Sequence, residues 1–180
     1  MHLFVPFPTL QTKRLILRQL KESDNEVVLY LRTDKSINKY IKRPKKRQTK
    51  HIEDATNHII KLRHLAATNK AIAWGISLKG KSQLIGSISL WNFSKDGTSA
   101  EVGYDLSPNF QNKGIMTEAL QKVIAYGKNQ LNLFYIEAYT HKENMNSIKL
   151  LEHNNFYLVQ ERKDAGNLNN IIYQINCKQN

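Results

Sequence analysis

One short segment, residues 108–119 (PNFQNKGIMTEA), constrains the fold of this chain more than any other. Pro108 and Asn109 end the preceding apolar run EVGYDL, and Gly114 stands where the backbone must turn sharply. From 117 to 126 the apolar residues follow helical spacing. A loop leading into a helix presents unpaired N–H groups and the positive end of the dipole, so the segment predicts an anion site, with phosphate as first candidate. An ordinary strand-to-helix connection is the alternative, since short glycine turns are common.

The spacing within this loop resembles a known cofactor-binding motif. Gln111, Gly114 and Met116 are similar to the pyrophosphate loop Q/R-x-x-G-x-G/A of the GNAT superfamily of N-acetyltransferases. The segment ENMNSIKLLEHNNF (143–156) follows, and the ordered pair resembles the branch that acetylates ribosomal-protein N-termini, the Rim type. Met116 departs from the small residue of the general motif, and we interpret it as a marker of that branch. The resemblance is strongest over 84–157 and extends more weakly to TKRLILRQL near the N-terminus.

The resemblance implies acetyl-CoA as cosubstrate and a set of residues that bind it. These come from the loop, the strand before it and the start of a later helix: Leu106, Gln111, Asn112, Lys113, Gly114, Ile115, Met116, Thr117 and Asn144. In the GNAT fold two strands splay apart to admit the pantetheine arm. Backbone groups around Leu106 are then expected to polarise the thioester carbonyl, as an oxyanion hole does.

Length and composition agree with a single domain over 1–180. The chain has 180 residues, of which 41% are hydrophobic and 23% charged, as in globular proteins with one core. No apolar run approaches the ~20 residues that cross a bilayer, and the N-terminus lacks a signal-peptide pattern. Cys177, the one cysteine, fits a reducing compartment and is interpreted as a passive thiol. These features predict a cytoplasmic protein without membrane contact.

The formal net charge of +12 indicates an anionic partner or a solvated basic surface. The charge is concentrated in one run, which comprises Lys42, Arg43, Lys45, Lys46, Arg47 and Lys50. Aromatic residues are not interleaved there, so base stacking is not indicated. A solvated loop between two helices is favoured over a docking patch. If the run docks, ribosomal RNA or the 3′-phosphate of CoA is the expected ligand.

Periodicity predicts the element order β-αα-βββ-α-β-α-ββ. The predicted strands are 13–20, 71–78, 83–93, 99–106, 134–140, 157–162 and 170–177, and the predicted helices are 23–40, 52–67, 116–129 and 146–153. Ser23-x-x-Glu26 is read as a capping box that opens the first helix. Asn155 stands where the family usually has glycine and should adopt the left-handed conformation that ends a helix. The order is that of a GNAT domain: an α+β fold on a mixed, mostly antiparallel twisted sheet with helices on both faces.

Two carboxylates are candidates for the base that acetyl transfer to an amine requires. Glu101 and Glu137 lie on the strands expected to flank the cofactor cleft. The alternative for each is a partly buried carboxylate that holds a neighbouring lysine, tyrosine or backbone amide. Strand alternation places Glu101 on the face opposite Tyr104, and the sequence leaves open which face meets the substrate.

Asn144 and Ser147 form the N-x-x-S pattern that the family places beside the pantetheine and its sulfur. By this resemblance Asn144 hydrogen-bonds the cofactor, and Ser147 orients a water or donates a proton to the leaving thiolate. A helix-cap role is the equal alternative for Ser147. Many members carry a tyrosine acid four residues later, where this chain has Leu151. The six histidines show no metal-ligand spacing, and the chemistry needs no metal.

Three functions remain open at this stage. The favoured one is an acetyl-CoA-dependent N-acetyltransferase that acts on a protein α-amine, plausibly that of a ribosomal protein, by direct attack in a ternary complex. The second is the same chemistry on a polyamine, amino-sugar or amino acid. The third is a non-catalytic acyl-CoA-binding or RNA-associated module. The sequence does not decide between a monomer and a homodimer.

Overall fold

The computed structural model describes residues 3–41 and 43–177, and within them the order of elements follows the predicted one. The strands are β1 (Leu10–Gln11), β2 (Leu15–Gln19), β3 (Ile72–Leu78), β4 (Leu84–Trp91), β5 (Ser99–Leu106), β6 (Tyr135–His141), β7 (Tyr157–Leu158) and β8 (Asn170–Asn176). The α-helices are α1 (Asn25–Thr33), α2 (Ile52–Ala67), α3 (Ile115–Gln130) and α4 (Met145–His153). The short strand β1 was not predicted from the sequence.

All eight strands form one sheet in the order β1-β2-β3-β4-β5-β6-β8-β7. Neighbouring strands run antiparallel except β5 and β6, which are parallel because α3 returns the chain across the sheet between them. The mixed, mostly antiparallel α+β architecture predicted from the sequence is confirmed.

Helices cover both faces of the sheet. The first face carries the side chains of Ala100, Val102 and Tyr104, and α3 and α4 pack on it around a large apolar cluster. The second face carries Glu101, Gly103 and Asp105, because successive side chains of a strand point to opposite sides. There α1 and α2 pack over the start of β4 in a smaller cluster of Leu20, Val28, Leu31, Ala55, Ile59 and Leu84.

The parallel pair β5–β6 is joined over only part of its length. Ser99–Glu101 pairs with Tyr135–Glu137, and beyond these residues the two strands have no shared register. β5 stays paired with β4 as far as Leu106, and β6 stays paired with β8 as far as His141. The carboxyl ends of the two strands therefore diverge, and we call the V-shaped opening between them the cleft.

The first helix ends earlier than the sequence predicted. It stops at Thr33 instead of continuing to Tyr40. Asp34 accepts hydrogen bonds from the backbone N–H groups of Ser36 and Ile37, which turns the chain away from the helix axis. Asn38 then holds this turn by donating its side-chain amide to the carbonyl oxygen of Leu31 in the last turn of the helix and to that of Asp34 just beyond it, at 2.9 and 2.7 Å. Local bonds of this kind compete with the helix, and the apolar periodicity does not show them.

The predicted capping box Ser23-x-x-Glu26 is also wrong. The side chain of Asp24 instead accepts the backbone N–H of Lys21, and a short 3-10 turn at Glu22–Asp24 precedes the helix. Asp24 is buried and is held by Arg18 through two bonds of 2.8 Å, so a tertiary ion pair selects the cap.

The end of the chain differs from the prediction in one respect. β7 ends at Leu158, whereas the prediction carried it to Arg162. A loop held by Asp164 follows, with bonds to the backbone N–H of Gly166 and the side-chain amide of Asn170. The left-handed backbone predicted for Asn155 is confirmed, with φ of 62°.

Gly86 supports a test of the packing between β4 and β5. A Cβ at this position would lie 2.5 Å from the carbonyl oxygen of Asp105 and 2.8 Å from the Leu106 side chain. We expect Gly86→Ala to lower the free energy of unfolding by about 1–3 kcal/mol, because a backbone atom has to move. Urea denaturation measures it.

Gly103→Ala is the matched control, since it lies in the same pair of strands. Its Cβ would meet its nearest atoms at an ordinary distance of 3.6 Å. Equal loss of stability in both variants would contradict the packing described for Gly86.

Candidate active site

The loop before α3 has the shape of an anion site. Asn112 and Gly114 both adopt positive φ, at 57° and 68°, and this brings the loop backbone across the end of the helix. Glu118 donates its N–H to the carbonyl of Gly114 at 3.1 Å. The N–H groups of the first turn, from Ile115 to Thr117, precede that bond and lack intrahelical acceptors, as at every helix start. They lie where a phosphate oxygen would be stabilised by donors and dipole together.

Side chains on both sides hold this loop in place. Gln111 donates its amide to the carbonyl oxygen of Leu106 at 2.9 Å, which ties the loop to the end of β5. Arg14 donates to the carbonyl of Lys113 at 2.8 Å, and its Nε pairs with Glu118 at 2.6 Å. Thr12 also donates to Glu118, at 2.5 Å. Sequence analysis did not identify Arg14 or Glu118, because their partners lie about a hundred residues away along the chain.

Glu101 and Glu137 lie side by side where the cleft opens. They are partners in the last registered pair of β5 and β6, and both point to the second face of the sheet. Burial raises the pKa of Glu101 from 4.5 to about 7, and the negative charges of Asp164 and Glu137 add to this increase. A hydrogen bond from the Asn92 side chain opposes it. Glu101 therefore changes its protonation state near neutral pH, as a proton-transfer group must.

Glu137 is held by a network of donors. Arg162 binds both of its oxygens, Gln174 donates to Oε1 at 3.0 Å, and the hydroxyl of Tyr139 donates to Oε2 at 3.4 Å. Arg162 also donates to the Tyr139 hydroxyl at 3.1 Å. The charge of Glu137 is therefore neutralised locally, whereas Glu101 has no basic partner among the described residues.

The first face of the cleft carries a pair of hydroxyl groups. The Tyr104 hydroxyl and Ser147 Oγ are 2.8 Å apart. Burial raises the pKa of Tyr104 to about 12, so this phenol keeps its proton at neutral pH. Asn144 is the N-cap of α4 and accepts the N–H of Ser147 through its side-chain oxygen at 3.3 Å. This bond leaves the amide group of Asn144 to donate elsewhere.

Sequence analysis did not identify Tyr104 as a site residue, because it lay among apolar neighbours on its face of the strand. Alternation along β5 placed it opposite Glu101 but gave no reason to single it out. Its partner, Ser147, lies 43 residues further along the chain. The contact depends on how α4 packs against the sheet.

On the second face, a strip of side chains leads away from Glu101 along the paired strands β4 and β5. We call this strip, which includes Trp91, Gly103 and Asp105, the second-face groove. Trp91 is the registered partner of Glu101, and Asp105 is the partner of Ser87. Ser87 donates both its N–H and its hydroxyl to Asp105, each at 2.9 Å. Burial raises the pKa of the Asp105 carboxyl, while Ser87 and the charges of Arg43 and Arg32 oppose the increase.

The described chain between α1 and α2 lies over this groove; we call its residues 34–41 and 43–50 the basic segment. The ring of Tyr40 stacks on His141 of β6, with centroids 5.1 Å apart. On the other side, the Arg47 guanidinium lies over the Trp91 ring, 6.0 Å from its centroid. The segment therefore spans the second face from β4 to β6.

The predicted basic run is only partly a solvated loop. Lys45 and Lys50 are exposed, in keeping with that prediction. Arg43 turns inward toward Asp105, and Arg47 lies on Trp91. Lys42 lies outside the described residues.

The structure brings the predicted residues to two sides of one cleft. Residues 111–117 and the Leu106 carbonyl meet at the start of α3. Asn144 and Ser147 lie on the first face, and Glu101 and Glu137 lie at the apex facing the second. Within residues 3–41 and 43–177, no three His, Cys, Asp or Glu side chains are grouped as a metal site. The same residues include no helix with the length and hydropathy to cross a membrane.

The raised pKa of Glu101 predicts how stability depends on pH. Between 4.5 and about 7 the folded state binds more protons at this carboxyl than the unfolded state does. This group therefore lowers stability as pH rises through that window. Glutamine mimics the neutral carboxyl, so we expect Glu101→Gln to melt above the parent protein at pH 8 and close to it at pH 4.5, in thermal unfolding followed by circular dichroism.

Glu137→Gln is the matched control for this measurement. It removes the partner of Arg162, so its melting temperature at pH 8 should lie below that of the parent protein. If both variants were destabilised equally at pH 8, the burial of Glu101 as an uncompensated charge would be wrong.

Comparison with known proteins agrees with this geometry. A family profile described as an acetyltransferase (GNAT) domain matches residues 14–157. The chain is 34% identical over 143 residues to the uncharacterized N-acetyltransferase p20 of Bacillus licheniformis, covering 79% of each protein. It is 31% identical over 145 residues to the uncharacterized N-acetyltransferase YoaA of Bacillus subtilis (strain 168), covering 81% of this chain and 80% of the relative.

Solved structures share the fold over nearly the whole chain. RimL, a ribosomal L7/L12 α-N-protein acetyltransferase in complex with coenzyme A, superposes with a TM-score of 0.79 at 19% identity, covering 94% of this chain and 98% of RimL. The microcin C7 self-immunity acetyltransferase MccE, in complex with acetyl-CoA and AMP, gives 0.75 at 22% identity, covering 92% and 93%. With the profile spanning most of the chain, the protein belongs to the GNAT family of acetyl-CoA-dependent N-acetyltransferases.

Proposed function

We propose that this enzyme acetylates the α-amine at the N-terminus of a protein, by direct attack of the amine on acetyl-CoA in a ternary complex in the cytoplasm. The observation that carries the proposal is the position of Glu101. It lies at the apex of the cleft, faces the roofed groove on the second face, and has a pKa of about 7. An α-amine has an ordinary pKa near 8, so a carboxylate of this kind suffices to remove its proton.

The residues around the start of α3 fit the diphosphate of the cosubstrate. The N–H groups between Asn112 and Thr117 would donate to its oxygens, and Gly114 leaves room for the close approach of the backbone. Gln111 acts indirectly by tying the loop to Leu106. Asn144 would donate its free amide to the pantetheine arm in the cleft. Beyond Glu101 the edge of β5 that faces the cleft is no longer paired with β6, and its backbone would supply further donors and acceptors along that arm.

Of the two carboxylates, Glu101 is the better base. Its basic form is destabilised by burial, and this gives it affinity for a proton near neutral pH. Glu137 is paired with Arg162 and accepts hydrogen bonds from Gln174 and Tyr139, so its oxygens are occupied within the protein. We assign Glu101 to accept the amine proton and Glu137 to orient Tyr139 and Arg162 beside the amine.

The hydroxyl pair on the first face is placed to serve the leaving thiolate. As the nitrogen–carbon bond forms and the carbon–sulfur bond breaks, Ser147 would donate its proton to the sulfur. Tyr104, whose phenol is protonated at neutral pH, would pass its proton to the serine oxygen across their 2.8 Å contact, and solvent would then reprotonate Tyr104. This pair replaces the tyrosine acid of other members, whose place Leu151 takes here.

The choice of a protein acceptor has support from a distant relative. RimL, which shares the fold, is an α-N-protein acetyltransferase of ribosomal L7/L12. The second-face groove also follows β4 and β5 over the length of several residues of an extended peptide. A small amine acceptor is the second candidate, since MccE shares the fold to a similar degree and its complex holds AMP.

Thiol release from acetyl-CoA, followed with a thiol reagent, tests the acceptor class. We expect turnover with peptides whose first residue is Ser or Ala and little with polyamines, amino-sugars or free amino acids. Mass spectrometry of the product should place the acetyl group on the α-amine. Turnover on small amines alone would replace the proposal by the second candidate. Tight CoA binding without turnover on any amine would leave a non-catalytic acyl-CoA-binding or RNA-associated module.

The pH dependence of kcat/KM tests the base. For the parent enzyme we expect an increase with pH to a plateau, with one apparent pKa about 7 that belongs to Glu101. The ionised carboxylate is the active form, so activity is lost as pH falls. Glu101→Gln should lose roughly 10²–10⁴-fold in kcat. The rise of kcat/KM with pH should disappear in the same variant.

Glu137→Gln is the comparison for the pH experiment. This variant should keep the rise of kcat/KM with pH, at an apparent pKa near that of the parent enzyme. It should also lose less activity than Glu101→Gln does. The assignment is wrong if Glu137→Gln abolishes the rise while Glu101→Gln retains it.

A further inference from the structure

Three arginines converge over the second-face groove on the side away from α3. Arg32 belongs to α1, and Arg43 and Arg47 belong to the basic segment. Arg43 and Arg32 both act on the charge of Asp105, and Arg47 lies over Trp91. The three cations therefore line the groove along β4, from the partner of Glu101 to the end of β5.

The three guanidinium groups differ in the hydrogen bonds that they make within the protein. Arg32 donates to Thr49 at 2.6 Å, contacts His58 at 3.2 Å, and donates to the carbonyl of Arg47 at 2.7 Å. These bonds fix the position of the basic segment. Arg43 donates through one nitrogen to the side-chain oxygen of Asn38. The remaining donors of Arg43, and the guanidinium of the exposed Arg47, are therefore directed at the groove or at solvent.

The positive charge here exceeds the negative charge of the protein around it. Within residues 3–41 and 43–177, none of the three arginines forms an ion pair. Burial lowers the pKa of Arg32 to about 10, and the charge of Arg43 adds to the decrease. Burial and the same arginines lower the pKa of His58 to about 3, so this imidazole stays neutral. A cluster of partly desolvated like charges costs free energy that a bound anion would offset.

The groove also holds negative charge at the apex of the cleft. Glu101 lies there with Glu137, and the charge of Asp164 acts on the same carboxyl. Arg47 lies close to this end, because it stacks on Trp91, the registered partner of Glu101, whereas Arg43 lies toward Asp105. From Glu101 to Asp105 the strand advances four residues, about 13 Å at the usual rise. The groove therefore presents carboxylates at the catalytic end and arginines within about 13 Å along it. This arrangement complements a ligand with an amine at one end and an anionic group a short distance away.

We propose that the acceptor carries an anionic group, a carboxylate or a phosphate, within about 13 Å of its reacting amine, and that Arg43 and Arg47 bind this group. The inference rests on the proposed function, because it names the chemistry of the acceptor for the same site. An extended peptide advances about 3.3 Å per residue, so an acidic side chain at the second to fourth position would reach the arginines.

The other ligands considered for the basic run fit this geometry less well. Bases of RNA would stack on accessible aromatic rings, whereas the Trp91 ring lies under Arg47 and Arg43 is half-buried toward Asp105. The 3′-phosphate of CoA belongs with the diphosphate end of the cosubstrate, near α3 on the first face. The arginines instead face the groove on the second face.

Matched acceptors test the proposal. The peptide pair is Ser-Asp-Glu-Gly and Ser-Asn-Gln-Gly, each with an amidated C-terminus, and the small-molecule pair is O-phosphoethanolamine and ethanolamine. We expect the acidic member of a pair to have kcat/KM about tenfold higher or more, as for one or two charge-assisted hydrogen bonds. Preference in the peptide pair would identify a peptide carboxylate, and preference only in the phosphate pair would identify a phosphorylated small amine.

Variants of the basic segment test which arginines cause the preference for an anionic acceptor. Arg47→Gln is the main variant because its side chain is exposed, and Arg43→Gln is the second, checked for its melting temperature. Each should reduce the preference for the anionic acceptor about tenfold, mainly through KM, with kcat on the neutral acceptor unchanged. Lys45→Gln removes the same charge from an exposed position of the same segment and should leave the preference intact.

Two results would overturn the proposal. One is turnover of neutral and anionic acceptors at equal kcat/KM in the parent enzyme, with no selective effect of Arg47→Gln. The other is that Arg47→Gln weakens binding of CoA but not of 3′-dephospho-CoA, which would assign the arginines to the cosubstrate. Both results leave the acetyltransferase activity intact, whereas failure of the proposed function would appear as absence of turnover on every peptide.

Discussion

The divergence of β5 and β6 is the constraint on which the rest of this structure depends. Each strand has a second neighbour that holds it to the end, β4 for β5 and β8 for β6, so the two can separate after Glu101 and Glu137 without losing their other ladders. The opening connects the two faces of the sheet. It places the start of α3 and the Tyr104–Ser147 pair on one side of the reaction and the carboxylates and arginines on the other.

The electrostatics of the cleft oppose its stability. Glu101 is held where its charged form is disfavoured, and Arg32 and Arg43 are brought close together on partly buried positions. Stable packing alone would not select either arrangement. Both fit the proposed acceptor, whose amine would give up a proton to Glu101 and whose anionic group would be bound by the arginines. The surrounding network is, by contrast, well satisfied, since Arg162, Gln174 and Tyr139 neutralise Glu137 and Ser87 bonds to Asp105.

Much of the fold follows from local pattern. The strands β2 to β6 and the helices α2 to α4 lie close to where alternation and helical spacing predicted them, because each buries one continuous apolar face. The errors fall where polar side chains decide. α1 ends at Thr33 because Asp34 and Asn38 bond to the nearby backbone, and its cap is selected by the Arg18–Asp24 ion pair. The pattern of apolar and polar residues along the sequence gives no information about such side-chain hydrogen bonds.

The sequence by itself determined the loop at 111–117, because a glycine turn before a helix is a property of neighbouring residues. It also identified Glu101 and Glu137 as candidates from their strands and Ser147 from the N-x-x-S pattern. Only the tertiary structure distinguished the two carboxylates, since Arg162 reaches Glu137 across 25 residues and leaves Glu101 without a basic partner among the described residues. Only the tertiary structure brought Tyr104 to Ser147 and the basic segment over Trp91. Burial and charge act through space, and the distances that set them are fixed only when separate elements pack together.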